Sequence, residues 1–196
     1  MATTPRLPRQ FYNRPALTVA RELLGMRLVR LEQGGRTAGI IVETEAYRGE
    51  DDLGCHASSG LTPRTQVMYG EAGHAYVYFT YGMHWMLNFV VEAEGFPAAV
   101  LIRGIVPTEG LERIAARRQG RAFEQWTDGP AKICKALAIN KAQNGTDLCA
   151  PQAELFVEFG VKFSDSSVTI GPRVGLNSVP EPWKSVPWRF VARYEP

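Results

Sequence analysis

The segment Ile40-Ile41-Val42-Glu43-Thr44-Glu45-Ala46-Tyr47 places two carboxylates within a run of apolar and β-branched residues. Such a run predicts a β-strand, in which successive side chains point to opposite faces. Glu43, Glu45 and Tyr47 then share one face, with neighbouring carboxylates about 7 Å apart. Apolar flanks and a second negative charge both raise a carboxyl pKa, which suits a general base working near neutral pH. A solvated strand face with paired surface glutamates is the alternative interpretation.

Turn and periodicity signals on both sides of this strand predict a mixed fold. A helix begins behind Pro15 and stops at Gly25, and a hairpin follows across Gly34-Gly35. The remaining predicted strands are 75–80, 84–91, 98–103, 155–163, 167–170 and 188–192, and the remaining predicted helices are 107–119 and one that opens at 128–130. We therefore expect the α+β class, with a single compact mixed domain in which helices flank a curved, mainly antiparallel sheet. Residues 1–10 are expected to form a flexible basic N-terminus, and residues 11–196 to form the domain.

Composition narrows the class of protein. The 196 residues include 22 Lys and Arg against 20 Asp and Glu, and 45% are hydrophobic, which argues against both a polybasic tail and a disordered segment. Charge is unevenly divided: residues 1–50 hold 8 basic and 5 acidic groups, 51–105 hold 2 and 5, and 106–150 hold 7 and 5. Three cysteines without C-x-x-C spacing predict a reduced, cytoplasmic protein. The uncharged run 72–91 carries too many polar residues for a lipid-facing segment, so no membrane is expected.

Aromatic residues and one histidine suggest a site for a flat heterocycle. His56 precedes the closely spaced Tyr76, Tyr78 and Tyr81, and stacking of a nucleobase on such side chains is worth about 1–3 kcal/mol. The alternative is that these aromatics merely pack a sheet. Tyr81-Gly82-Met83 differs, because its glycine predicts a tight turn that presents Tyr81 and Met83 as an exposed wedge.

Charged and potential metal-binding residues give two further expectations. Arg103 ends the apolar run 98–102, and Glu45 or Glu43 is the natural partner of its guanidinium. The spacings of Cys55 and the three histidines match no zinc pattern, so no metal is expected.

At this point the motifs resemble those of a known family, the 3-methyladenine (alkyladenine, N-methylpurine) DNA glycosylases. The matching runs are Leu23-Leu24-Gly25, residues 41–47, His56, Thr62-Pro63-Arg64, Tyr76-Val77-Tyr78, Tyr81-Gly82-Met83, Asn88, residues 100–103, residues 109–112 and residues 129–141. The resemblance spans about residues 11–192, and the order and spacing of these motifs are far more specific than any one of them. The tail after Cys149 matches weakly, and no residue is carried over there.

The resemblance implies a monomeric DNA repair enzyme without a cofactor, whose glycosylase domain spans 11–196. It binds double-stranded DNA in the minor groove, flips an alkylated or deaminated purine out and hydrolyses its N-glycosidic bond, leaving an abasic site. In the implied roles Glu45 activates water and Arg103 helps to hold that water. Tyr47, His56 and Tyr78 stack around the flipped base, Asn88 crowds the exocyclic amino group of guanine, and Tyr81 with Met83 fills the vacated stack. A non-catalytic protein that binds DNA distortions is the competing hypothesis, and retention of Glu45 and Arg103 favours the enzyme.

Overall fold

The computed structural model describes residues 5–194. Its strands are β1 (Arg27–Glu32), β2 (Gly35–Arg48), β3 (Ala75–Thr80), β4 (His84–Val90), β5 (Ala98–Glu109), β6 (Leu155–Glu158), β7 (Val168–Gly171) and β8 (Arg189–Ala192). Its α-helices are α1 (Arg9–Tyr12), α2 (Ala16–Leu23), α3 (Leu111–Arg117) and α4 (Pro130–Ala136). All strand pairs are antiparallel, in the order β3-β4-β5-β2-β1-β6, while β8 joins β2 to β7. The α+β prediction is confirmed.

The two faces of the central β2–β5 pair serve different purposes. One face, including Val100 and Ile102, packs in the main core with the buried side of α2, and the hydroxyl of Thr44 on this face donates to Ala20 O at 2.7 Å. The opposite face carries Glu45, Tyr47, Leu101 and Arg103, and a smaller buried cluster built around Met68, Tyr76 and Ala99 lies beside it. The helices therefore cover one face and leave the other to form a cavity.

Irregular pairing of β2 and β5 near Glu43 brings Arg103 into contact with the two glutamates of β2. In the β2–β5 register Ile41 faces Ile105, Glu43 faces Gly104 and Thr44 faces Ile102. Val42 and Arg103 are thus extra residues on opposite strands, and such bulges bend a strand and redirect side chains. The result brings Arg103 to the two glutamates rather than directly opposite either one.

Two predicted boundaries were wrong for identifiable reasons. The helix predicted from residue 107 begins only at Leu111, because β5 stays paired with β2 as far as Ala38 and Glu109. Gly110 then makes the turn with φ +67, and a Cβ there would lie 2.6 Å from Arg36 O. The strand predicted over 155–163 ends at Glu158, where its pairing with β1 ends.

The N-terminal segment differs from the flexible terminus expected over 1–10. Residues 1–4 lie outside the described residues. Leu7 is 1% exposed and Arg9 lies in α1, with its guanidinium 2.8 Å from Asp147. Arg6 donates to Ala150 O at 2.6 Å. The described part of this segment is therefore packed against the domain. None of the helices within residues 5–194 is long and apolar enough to cross a membrane.

Candidate active site

A cavity of about 230 Å³ opens on the uncovered face of the β2–β5 pair. Its walls come from the central strands, the turn containing His56, the β3–β4 hairpin and the segment after β7. Of the residues singled out from the sequence, the lining includes Tyr47, His56, Tyr78, Tyr81, Asn88 and Arg103. Glu45 lies directly behind this wall, in contact with Tyr47 and Arg103, and Met83 lies outside it.

Glu45 is a fully buried carboxylate with three polar contacts. Its Oε2 accepts a hydrogen bond from the Tyr47 hydroxyl at 2.7 Å, and its Oε1 accepts one from the Val174 N–H at 2.7 Å. Arg103 Nε lies 3.2 Å from the same Oε1. Burial raises the pKa of Glu45 above its usual value, while Arg103, the Val174 amide and the Tyr47 hydroxyl all act to lower it. The net effect is a raised pKa, which is the direction that suits a carboxyl acting as a general base near neutral pH.

Arg103 holds the two glutamates of β2 together. Its Nε lies 3.0 Å from Glu43 Oε1 as well as 3.2 Å from Glu45, which confirms the partner expected from the sequence. Arg189 on β8 also donates to Glu43 Oε1, at 2.6 Å. Two guanidinium groups therefore contact Glu43, and among the causes of the Glu45 pKa shift Glu43 has the smallest effect.

Aromatic rings form the sides of the cavity. The His56 ring packs edge-on against Tyr78 with centroids 4.5 Å apart, and its Nδ1 lies 3.0 Å from the Tyr76 hydroxyl. Burial, with help from nearby Arg64, lowers the pKa of His56 to about 4, so its imidazole is neutral at physiological pH. Burial likewise raises the pKa of Tyr78 to about 12. The two rings are neutral at physiological pH and offer flat faces on which a heterocycle can stack.

Asn88 contributes a polar group deep in the same cavity. It lies on β4 opposite Tyr76 and Leu101, is 4% exposed, and donates from Nδ2 to Tyr76 O at 3.1 Å. This bond fixes the orientation of the amide against the backbone of β3. A fixed amide at the cavity wall can distinguish ligands by their edge groups.

The β3–β4 hairpin presents the predicted wedge beside the cavity mouth. Tyr81 has φ +51 and Gly82 has φ +65, and both residues lie in the turn between β3 and β4. Tyr81 is 84% exposed and Met83 is 67% exposed. The exposure predicted from Tyr81-Gly82-Met83 is confirmed, and such large exposed apolar side chains are typical of an interaction surface.

Three residues that support the site were not predicted from the sequence. Val174 acts through its backbone N–H, and Arg173 and Asp52 form a fully buried ion pair behind Tyr47. Asp52-Leu53-Gly54 carries a turn signal that could have marked the aspartate. Nothing in residue type marks a backbone amide, and the tail that contains Arg173 and Val174 matched the family motifs too weakly to be assigned.

Chemically, the site combines a buried carboxylate, a guanidinium and an apolar pocket. Within residues 5–194, no group of three or more His, Cys, Asp or Glu side chains is arranged to hold a metal ion. The groups at hand can accept a proton, stabilise nearby positive charge and stack a flat ring.

Comparison with known proteins identifies the family. The family described as methylpurine-DNA glycosylase matches residues 10–196. A protein of Methanocella arvoryzae is 49% identical over 98% of this chain and 94% of its own length, and one of Myxococcus xanthus is 49% identical over 95% and 90%. A third, from Desulfitobacterium hafniense, is 46% identical over 94% of each chain, and all three are named "Putative 3-methyladenine DNA glycosylase". The resemblance drawn from the motifs is thus confirmed, and the chain belongs to the methylpurine-DNA glycosylase family of DNA repair hydrolases.

Proposed function

We propose that this chain removes damaged purines from double-stranded DNA by hydrolysing the N-glycosidic bond with a water molecule activated by Glu45. The observation that carries the proposal is the buried Glu45 carboxylate, held by Arg103 and Tyr47 directly behind an aromatic cavity whose mouth adjoins an exposed tyrosine. The relatives are named for 3-methyladenine. We extend the substrate class to alkylated or deaminated purines, including 7-methylguanine, hypoxanthine and 1,N6-ethenoadenine.

Glu45 serves two purposes in the proposed reaction. Cleavage of a glycosidic bond passes through an oxocarbenium-like state, so an anionic carboxylate stabilises the developing positive charge and also takes the proton from the attacking water. Arg103 favours the ionised form of Glu45 and helps to hold that water. The products are the free base and an abasic site, without strand cleavage by the protein itself.

The state of the leaving base sets the expected order of substrates. An alkylated purine that already carries positive charge leaves readily, whereas hypoxanthine is neutral and leaves more readily once it is protonated. His56 is a poor proton donor because its pKa of about 4 keeps the ring neutral at physiological pH. We therefore expect cationic purines to be excised faster than neutral ones.

Base selection is assigned to the cavity walls and the hairpin. Tyr47, His56 and Tyr78 stack on the flipped base, and Asn88 crowds the exocyclic amino group of guanine. Tyr81, with Met83 beside it, enters the space that the base vacates and offsets part of the few kcal/mol that flipping costs. The chain acts as a monomer in this proposal.

Excision from a defined duplex tests the function. A duplex with one 3-methyladenine or 1,N6-ethenoadenine is incubated with the protein and then treated with alkali, which breaks the strand at abasic sites. We expect scission with the wild-type protein and none with Glu45→Gln. Absence of scission above the Glu45→Gln background on every alkylated and deaminated purine tested would refute the proposal.

The competing function is recognition of distorted DNA without chemistry. It is favoured only by the exposed wedge, Tyr81 and Met83, since a pure binder has no use for a buried, guanidinium-paired carboxylate beside its pocket. Tight binding of the same duplexes with no base release would support this second function.

A further inference from the structure

A buried ion pair behind the cavity has no part in the chemistry proposed above. The side chains of Arg173 and Asp52 are both fully buried, and the guanidinium donates to both carboxylate oxygens, from Nη1 to Oδ2 at 2.5 Å and from Nη2 to Oδ1 at 2.8 Å. Removing two charges from water is costly, and hydrophobic replacements of such pairs are often neutral or stabilising. The pair therefore needs a reason beyond stability.

Arg173 joins the segment after β7 to the strand that carries Glu45. Its guanidinium lies over the Tyr47 ring at 4.6 Å and the Trp188 ring at 5.0 Å. It also donates to Ala46 O at 3.1 Å and Trp183 O at 3.2 Å. With Asp52 included, the guanidinium contacts five residues in several directions, which restricts its position. The next residue is Val174, whose N–H donates to Glu45 Oε1 at 2.7 Å.

Asp52 connects Arg173 to the cavity wall that contains His56. Its Oδ1 accepts the Gly54 N–H at 2.9 Å, and its Oδ2 accepts the Arg48 N–H at 3.3 Å. Its carbonyl accepts the Cys55 N–H at 2.8 Å. These bonds close the turn that brings Gly54, Cys55 and His56 into the lining.

From these contacts we propose that Arg173 and Asp52 are positioning residues: together they hold the Val174 N–H against Glu45 and the Gly54–His56 turn against the base pocket. The role rests on the proposed function of Glu45. It predicts a particular kinetic signature, because the Val174 amide favours the ionised carboxylate and lowers its pKa. When this amide moves away, the Glu45 pKa rises and a larger fraction of the base is protonated at mildly acid pH.

The test compares two lysine substitutions at bidentate arginine–carboxylate pairs, of which Arg173–Asp52 is fully buried and Arg36–Glu158 is partly exposed on the arginine side. Arg173→Lys keeps the charge but loses the planar fork. Arg36→Lys makes the same change opposite Glu158, whose oxygens Arg36 bonds at 3.0 and 2.5 Å, at strand positions outside the cavity lining. Single-turnover excision is measured across pH for both variants and the wild type. We expect Arg173→Lys to move the acid limb to higher pH, with a loss of roughly tenfold on that limb that narrows at alkaline pH. Arg36→Lys should leave the limb in place.

A second measurement needs no variant to fold. In the wild-type protein the Val174 amide should exchange slowly with deuterium, and its proton shift should follow the same titration as the acid limb of excision. Fast exchange of this amide would overturn the positioning role, and so would an Arg173→Lys acid limb that superimposes on the wild type. If the wild type excises nothing, the proposed function fails, while comparing Val174 amide exchange in Arg173→Lys and in the wild type still tests whether Arg173 holds Val174 in place: faster exchange in the variant supports this role, and equal exchange overturns it.

Discussion

At the scale of single residues, the acidity of Glu45 is set by opposing influences that differ in origin. Burial raises its pKa, and the Arg103 guanidinium, the Val174 amide and the Tyr47 hydroxyl lower it. Each of these three contacts can be changed separately. The hydroxyl is the simplest to remove, because phenylalanine keeps the ring that stands over Arg173.

Tyr47→Phe removes the O–H that donates to Glu45 Oε2 at 2.7 Å. The Glu45 pKa then rises, so the acid limb of the excision rate moves to higher pH, with a loss of roughly tenfold on that limb. Tyr76→Phe is the matched control, because that hydroxyl bonds His56 rather than Glu45. An unmoved limb in Tyr47→Phe, or equal shifts in both variants, would contradict this origin of the Glu45 acidity.

Tyr81→Ala tests the wedge. Stacking on an aromatic ring is worth about 1–3 kcal/mol, so loss of the ring should lower single-turnover excision about tenfold or more. Thermal stability should change little, because Tyr81 is 84% exposed. Tyr81→Phe keeps the ring and should excise like the wild type. The stacking role fails if alanine has no effect or if phenylalanine is as damaging as alanine.

At the scale of elements, the β3–β4 hairpin and the β2–β5 pair do the positioning. The hairpin turn closes with Met83 N–H donating to Thr80 O at 3.1 Å, and positive φ at both Tyr81 and Gly82 is the sign that a type I′ turn requires. This conformation turns Tyr81 outward beside the cavity. The bulge near Glu43 positions Arg103 in a different way, because it brings the guanidinium within 3.2 Å of Glu45.

Gly82→Ala tests how far this turn depends on backbone conformation. A Cβ at Gly82 would meet no atom within 4 Å, so the whole cost comes from placing an L-residue at φ +65, about 1 kcal/mol of unfolding free energy. Gly171→Ala is the control, since Gly171 lacks a positive φ and its Cβ would also lie in open space. Denaturant unfolding should show a loss for Gly82→Ala alone. Equal effects at the two sites would contradict the conformational explanation.

At the scale of the whole molecule, the distribution of charge changes once the chain is folded. Arg6 and Arg9, which lie in the basic first quarter of the sequence, are engaged by Ala150 O and by Asp147 and Glu71. A cleft between α3 and α4 instead gathers five cations and no carboxylate, namely Arg117, Arg118, Arg121, Lys132 and Lys135. Within residues 5–194, Arg118, Arg121 and Lys135 form no ion pair.

Salt dependence of duplex binding tests which cations meet phosphates. Each phosphate contact adds about −0.9 to the slope of log affinity against log salt. Arg121→Ala should therefore make the slope shallower by about one unit, whereas Arg6→Ala should leave it unchanged. A flat salt response of the wild type, or a change for Arg6→Ala alone, would contradict the expectation that cations of the α3–α4 cleft, rather than Arg6, contact the phosphates.

Acid stability gives a second test at this scale. The pKa of His56 is lowered from 6.5 to about 4 in the folded protein, so the unfolded chain binds a proton at a higher pH than the native state does. Neutral His56 contributes stability above pH 6.5 that is lost as the pH falls towards 4, up to about 3 kcal/mol. The difference in unfolding free energy, wild type minus His56→Gln, should therefore decrease as the pH is lowered from 6.5 to 4. A constant difference would show that His56 titrates normally.

Residue patterns were enough to predict most strands, the α+β class, the shared face of Glu45 and Tyr47, and the exposed wedge. These features follow from local rules: alternation along a strand, a glycine in a tight turn, and a guanidinium after an apolar run. Boundaries at 107–110 and 158–163 were not predictable, because the partner strand determines where pairing ends.

The chemical groups of the site are thus given by the residue types at positions 45, 47, 56, 78, 88 and 103, and their match to the family motifs is recognisable from the sequence alone. The arrangement that tunes them is not. The Val174 amide on Glu45 and the Asp52–Arg173 pair join residues 129 and 121 positions apart. A backbone N–H is common to almost every residue, and a buried ion pair forms only when packing excludes water from both partners, so folding alone assigns these groups their roles.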